Sequence, residues 1–346
     1  MSAPARPGGA VALDAQGADG GPEVVLEGAR IAAGDGIKVR LFGPSSLRPP
    51  AGIELVPSEE WIDNRADPVT AVRSTPDASV VRAAADVAEG RSGAVVSAGS
   101  TGATMTAALF AIKRLRGVHR PALAAQIPIP DAGRVLLLDC GANNEVRPQH
   151  LIQFAFLGAA FSEAVLGVER PRVALLSVGE EQKKGRPDVV EAHDALRTAD
   201  GIGFVGNVEG RDLLSGNADV IVTDGFTGNV ALKTLEGTAR AVADGVRRAA
   251  RAGPIAAAGG LLLRPALGGL RSQMDPNAVG GAILLGLRGV AVVAHGSSSP
   301  EGIANAVRLA DHTIRERAVE RTEQSLRASG ATREGLREPS APAGER

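Results

Sequence analysis

The sequence predicts a doubly wound, mostly parallel α/β sheet, and two observations carry that expectation. Short unbroken apolar runs recur along the chain, each ending in a turn of Gly, Ser, Thr, Asn or Asp. Each turn is followed by an Ala- and Leu-rich segment of helical character. Unbroken apolar strands alternating with helices are the mark of parallel strands covered on both faces. In order, Ala10–Asp14 leads to a helix near Pro22–Ala33, Gly93–Ser97 to one over Ala103–Leu115, and Arg134–Asp139 to Pro148–Leu166. Arg172–Ser177 then leads to Pro187–Arg197, Asp219–Asp224 to Asn229–Arg248, and Gly289–Ala294 to Glu301–Arg317. No longer sequence repeat lies beneath this alternation. In such sheets a ligand crevice lies beyond the carboxyl ends of the strands, which is where these turns fall.

Composition narrows the functions available. The 346 residues suit one large α/β unit with a sizeable core. With 38 Lys plus Arg against 39 Asp plus Glu, no global field draws the protein to polyanions. Seven Phe, one Trp and no Tyr give no stacking platform for single strands, so no nucleic-acid partner is expected. The single cysteine, Cys140, excludes an intramolecular disulfide and a Cys-rich zinc site, and its apolar run Val135–Cys140 reads as a buried position. No apolar stretch reaches the roughly 18 residues of a spanning helix, and Met1–Gly9 lacks the apolar core of a signal peptide. A cytoplasmic location is the expectation. Residues 1–9 and 326–346 read as disordered tails around one catalytic domain at 10–325, since neither end has enough apolar surface to offset its ordering entropy.

Residues 245–274 break the alternation. Arg247, Arg248, Arg251, Arg264 and Arg271 are interleaved with Ile255, Leu261, Leu262, Leu263, Leu267, Leu270 and Met274, with no acid or lysine. Pro254 and Pro265 and two glycine pairs make two short helices and a hairpin more natural than one rod. A basic and apolar helical excursion suits either the surface of a partner subunit or the interface of an anionic bilayer.

Four turns have the composition of a site. Ser97-Ala-Gly-Ser-Thr-Gly102 opens a helix, where small residues let a ligand approach the backbone and free N–H groups face an anion. Asp224-Gly-Phe-Thr-Gly-Asn229 has the same context; Thr227 and Asn229 suit either an anion or a helix cap. Asp139-Cys-Gly-Ala-Asn-Asn-Glu145 sets two amides beyond a strand. Ser177–Gly185 holds two acids and two lysines, which form either a solvated loop or a cationic contact for a phosphate or a carbonyl. By contrast, Gly201-Ile-Gly-Phe-Val-Gly206 has dinucleotide-type glycine spacing but itself reads as a strand. His193 and His295 have no metal-ligand spacing, and neither a Gly-x-Ser-x-Gly elbow nor a Walker-type Gly-Lys-Ser/Thr occurs. The residues alone thus indicate an anion-binding α/β enzyme for which no metal or cofactor is implied.

At these same positions the chain resembles the PlsX-type phosphate acyltransferases of bacterial phospholipid synthesis. The likeness runs from about Val11 to about Ala310. Asp14-Ala-Gln-Gly-Ala-Asp19 resembles the family's Asp-x-Met-Gly-Gly-Asp, and Ser97–Ala103 its Ser-Ala-Gly-Asn-Thr-Gly-Ala. Asp139–Asn143 is similar to Asp-x-Gly-Ala-Asn, and Gly179–Gly185 to Gly-Glu-Glu-x-x-Lys-Gly. Gly206–Asp212 and Thr223–Thr234 fit with hardly a change, and Gly280–Gly286 with His295-Gly296 completes the order. Gln16, Ala18, Gly20 and Ser100 depart from the family's Met, Gly, His and Asn.

The resemblance implies a fold like that of the isocitrate and isopropylmalate dehydrogenases without use of a nucleotide, and a homodimer at the membrane face. It also implies the reaction: acyl-acyl carrier protein and inorganic phosphate give acyl phosphate and free carrier. On that reading Ser97, Gly99, Ser100, Thr101 and Gly102 cradle the anion. Lys184 and Asn229 stabilise the oxyanion or phosphate, supported by Asn143, Asp224, Thr227 and Gly228. Arg247, Arg248 and Arg251 are candidates to receive the acidic carrier. The rivals are an acyl-coenzyme A phosphotransacetylase, a noncatalytic membrane-associated scaffold and, third, an oxidoreductase.

Overall fold

The computed structural model describes residues 9–129, 133–259, 262–263 and 276–336. Eleven strands form one sheet: β1 Ala10–Asp14, β2 Lys38–Gly43, β3 Ile53–Pro57, β4 Ala94–Ser97, β5 Ala122–Ile129 and β6 Gly133–Leu138, then β7 Arg172–Leu176, β8 Gly203–Val208, β9 Val220–Val222, β10 Ala282–Leu285 and β11 Val290–Val293. Their order across the sheet is β3-β2-β1-β4-β11-β10-β5-β6-β9-β7-β8.

The sheet is mostly parallel, but it is made of two parallel blocks that run in opposite directions. Strands β3, β2, β1, β4 and β11 are mutually parallel, as are β6, β9, β7 and β8. Between the blocks, β10 is antiparallel to β11 and to β5, and β5 is antiparallel to β6. Three successive reversals leave β6 opposed to β11. The carboxyl ends of the two blocks therefore lie on opposite edges of the sheet. The crevice expected at a single edge is replaced by two groups of turns.

Each predicted strand–helix pair is present, with shifted ends. Helix α1 covers Pro22–Gly34, and two helices outside the predicted pairs, α2 Pro68–Ser74 and α3 Ser79–Ala88, precede β4. Helix α4 spans Thr101–Ala111, α5 Pro148–Val165, α6 Pro187–Arg197 and α7 Gly225–Ala249. The last predicted helix spans Pro300–Arg315 and is followed by another at Ala318–Ala328. Proline at the first helical position starts α1, α2, α5, α6 and Pro300–Arg315, where its fixed φ and missing N–H cost nothing.

One buried apolar cluster runs through both blocks, from Val11 and Leu13 through Val96 and Val292 to Leu136, Leu138, Val222 and Val173. Helix α5 is buried along nearly its whole length, with Phe154, Leu157 and Phe161 in that core. Burying three such side chains contributes on the order of 1.5–3 kcal/mol each. Gly28 of α1 permits the close crossing of Pro300–Arg315: a Cβ there would stand 2.5 Å from Ile303 Cβ.

One expectation changes at the carboxyl end. Residues 326–336, assigned by composition to a tail, are packed: Leu326 and Ala331 are buried, and the buried Gln153 donates from Nε2 to Ala331 O at 2.9 Å. A single side-chain amide and a few apolar contacts hold a segment whose composition alone would leave it loose. Of the excursion 245–274, α7 reaches Ala249 and a helical stretch covers 254–259; residues 264–275 lie outside the described residues, as do 1–8 and 337–346.

Candidate functional site

The first group of turns collects at the carboxyl ends of β1, β4 and β11. Ser97 Oγ, fully buried, donates to Asp14 Oδ2 at 2.7 Å and accepts from Gly99 N at 3.0 Å. Burial is the main influence on Asp14 and pushes its carboxyl up to about 6, against hydrogen bonds from the Ser97 hydroxyl and the Gln16 backbone that favour the ionised form. Gly17, at φ +82°, faces Gly99 so closely that a Cβ would stand 2.9 Å from Gly99 Cα. Ser100 caps α4, its Oγ accepting from Ala103 N at 3.3 Å. Gly102 packs on Pro68, and Asp19 N donates to Gly296 O at 2.9 Å, which brings the His295-Gly296 turn into the group. Thr101 is exposed at the first position of the helix. The first helical N–H groups, those of Thr101 and Gly102, have no partner within a helix.

The second group collects at the carboxyl ends of β6, β9 and β7, on the other edge. Asp139 is wholly buried and its carboxylate accepts four donors. Leu123 N and Ala142 N reach Oδ1 at 3.0 Å each; Asn143 N at 2.7 Å and Asn143 Nδ2 at 2.8 Å reach Oδ2. Burial raises its pKa and these bonds oppose the rise. Asn143 Nδ2 also donates to Pro121 O at 2.8 Å, so both amide hydrogens of Asn143 hold the turn together.

The first turn of α7 lies directly on this Asp139 turn, and its glycines explain how. A Cβ on Gly228 would stand 1.9 Å from Asp139 O, and one on Gly225 would stand 2.8 Å from Asn143 N. Asp224 caps the helix: Oδ1 accepts from Thr227 N at 2.9 Å and Oδ2 from Thr227 Oγ1 at 2.7 Å. Asn229 is exposed on the same turn, beside Gly141. The capping role and the site position thus coincide in one motif.

Lys184 comes to the same edge on the loop after β7. Ser177 Oγ donates to Lys184 O at 2.8 Å, and Lys184 N donates to Glu181 O at 2.9 Å. Gly185, at φ +112°, turns the chain where a Cβ would stand 2.6 Å from Ser177 Oγ. The Lys184 side chain is exposed and makes no hydrogen bond or ion pair among the described residues. Arg186, two residues on, pairs with Asp224 at 3.0 Å and with Asp188 at 2.7 Å. Sequence reasoning missed Arg186; its place just after Lys183-Lys184-Gly185 was the available signal.

The structure therefore brings Lys184, Asn143, Asp224, Thr227, Gly228 and Asn229 together, and sets Ser97, Gly99, Ser100, Thr101 and Gly102 apart from them. Helix α4, about 16 Å long at 1.5 Å per residue, leads from one edge toward the other. Along it runs a cleft of about 790 Å³ whose wall includes Met105, Leu109, Leu284, Ala142 and Asn143. The other residues weighed from sequence have structural jobs. Cys140 is buried, with its thiol pushed up by burial, and His193 is buried with Nδ1 3.0 Å from Asn207 Oδ1.

In fold the chain resembles the phosphotransacetylases. The EutD phosphotransacetylase from Staphylococcus aureus aligns with TM-score 0.58 over 88% of this chain and 94% of that one, at 19% identity, a likeness of fold. The chain itself belongs to the fatty acid synthesis protein family, whose model matches residues 10–321. It is 44% identical to the phosphate acyltransferase of Lactococcus lactis subsp. cremoris over 310 residues, 86% of this chain and 92% of that protein. It is 43% identical to that of Anaeromyxobacter dehalogenans over 331 residues, 93% and 91% of the two chains. The PlsX-type resemblance of the motifs and this membership agree.

Proposed function

We propose that the chain transfers a fatty acyl group from acyl carrier protein to inorganic phosphate, forming acyl phosphate for phospholipid synthesis. The observation that carries this reading is the unpaired Lys184 on the loop that Arg186 ties to Asp224 at the start of α7, in a family whose relatives are phosphate acyltransferases.

A phosphate oxygen attacks the thioester carbonyl; the C–O bond forms, the C–S bond breaks, and the thiolate of the carrier's arm leaves. Phosphate is already anionic near neutral pH and needs no strong base, and a thiol of pKa about 8.5 leaves with little acid assistance. The protein's work is to align the reactants and to stabilise the oxyanion. Lys184 Nζ supplies positive charge and the Asn229 amide a donor. Asp224, Asn143, Thr227 and Gly228 fix that turn.

Ser97 and Gly99 shape the α4 turn, because the Ser97 hydroxyl is already given to Asp14. Thr101, the free first-turn N–H groups and the capping Ser100 remain the contacts open to an anion at the start of α4. Phosphate-dependent release of free carrier thiol by the purified chain tests the reaction.

We also infer a homodimer and a peripheral contact with the cytoplasmic membrane face through 245–274. Supporting this, Ile255, Leu262 and Leu263 are exposed, as are Val242 and Val246 of α7. Among the described residues no helix is long and apolar enough to cross a membrane.

A further inference from the structure

The cleft along α4 has a lining that the catalytic reading does not use. Six cations face it, Lys113, Arg114, Arg116, Arg120, Arg288 and Arg333, and no acid does. None of the six is paired with a carboxylate among the described residues, whereas Arg30, Arg40, Arg172, Arg186 and Arg308 each have an acidic partner. In a chain of net charge −1 this is a local field of one sign.

The cations come from three distant segments that the fold clamps together. Buried Gln153 donates from Nε2 to Gly117 O and to Ala331 O, both at 2.9 Å, and accepts at Oε1 from His119 N at 2.6 Å. Arg333 N donates to Gly117 O at 2.6 Å, and Arg288 N donates to Lys113 O at 3.0 Å. Lys113 itself sits at φ +68°, just past the end of α4, a conformation that favours glycine. At its inner end the cleft reaches the second group of turns, since Ala142 and Asn143 are in its wall.

We propose that this cleft is the docking surface for the acidic carrier protein, which seats on the six cations and passes its acyl-bearing arm along α4 toward Asn143. The proposal rests on the acyl-carrier reading above, and it places the carrier here rather than on Arg247, Arg248 and Arg251. Two observations favour a protein with a protruding arm over a lipid surface. The cleft is concave, which a flat bilayer does not enter, and its floor is apolar at Met105, Leu109 and Leu284.

The test is direct binding of the acidic acyl carrier protein to the full chain by calorimetry, over a range of salt. It is repeated with the Lys113→Glu/Arg116→Glu/Arg333→Glu variant. Those three side chains make no hydrogen bond or ion pair among the described residues, so the fold is retained. The wild-type Kd is expected to weaken steeply with salt, and the variant to bind about tenfold more weakly or worse. In turnover, the variant loses at least that much more kcat/KM on acyl-carrier protein than on acyl-pantetheine, which has no acidic body.

Salt-independent wild-type binding, or a variant that binds as wild type does, overturns the proposal. So does a loss seen only with Arg247→Glu/Arg248→Glu/Arg251→Glu. A cleft variant that loses anionic phosphatidylglycerol vesicles but keeps the carrier gives the surface to the membrane instead. Carrier bound at the cleft with no acyl phosphate formed sustains the docking surface and overturns the catalytic reading.

Discussion

Arg186 Nη1 lies 3.0 Å from Asp224 Oδ2 and joins the loop that carries Lys184 to the first turn of α7. Asp224 is buried and also caps the helix through Thr227, so one carboxylate orders two of the four motif turns. Asp224→Ala removes the cap and the pair together and is expected to lower stability by about 1–3 kcal/mol. Arg186→Ala leaves the cap and costs less, while displacing Lys184. Urea unfolding separates the two, and activity measured on the folded protein should fall in both.

Lys184→Ala removes an exposed side chain, so melting should not change. If its ammonium stabilises the oxyanion, kcat/KM falls about 10²–10³-fold, the typical cost of one such donor. Near-wild-type kcat/KM in a folded Lys184→Ala protein would take Lys184 out of the site. Asn229→Ala is expected to act in the same direction, since its side chain is exposed on the turn that faces the same edge.

Two glycines of α7 should respond oppositely to the same change. At Gly228 a Cβ would meet Asp139 O at 1.9 Å, so Gly228→Ala must push the helix off the Asp139 turn. A loss of about 1–3 kcal/mol or more is expected, with activity reduced as well. At Gly237, nothing lies within 4 Å of the added Cβ, and Gly237→Ala should gain about 0.5–1 kcal/mol from helix propensity. Paired urea titrations check both signs.

Asp14 gives a pH dependence whose sign is fixed. Its folded pKa, about 6, lies above the ordinary 3.8, so the folded state binds the proton more tightly. Between about pH 4 and 6 the stability from this group falls as pH rises, and above 6 the ionised carboxylate is a full penalty of roughly 3 kcal/mol. Asp14→Asn keeps an acceptor for Ser97 and should stabilise the protein at pH 7. It should also flatten the stability profile between pH 4 and 6, measured by urea unfolding at each pH.

The parts legible in the sequence were those with a local cause. The apolar runs at β1, β4, β6, β7, β9 and β11 and their helices could be read because burial on both faces leaves an unbroken apolar signature. Strand β10 has four residues in a glycine-rich stretch, and β5 is Ala-rich and contains Pro128, so neither stood out. Strand direction was not legible at all, because an apolar run reads the same whichever neighbour it joins. That reversal is what divides the predicted site residues between two edges. The Ser97 hydroxyl looked free for an anion until Asp14, 83 residues away, was found to hold it. Likewise the meeting of Lys113–Arg120 with Arg333 was not legible, because it depends on the Gln153 clamp between Gly117 and Ala331.

The most direct measurement follows carrier thiol and acyl phosphate together, from purified chain, palmitoyl-acyl carrier protein and inorganic phosphate, with hydroxylamine as the trap. Acyl transfer to phosphate requires equimolar thiol and acyl hydroxamate, both dependent on phosphate. Thiol released without trapped acyl phosphate, or a carrier that stays acylated while the folded chain binds it, would contradict the account.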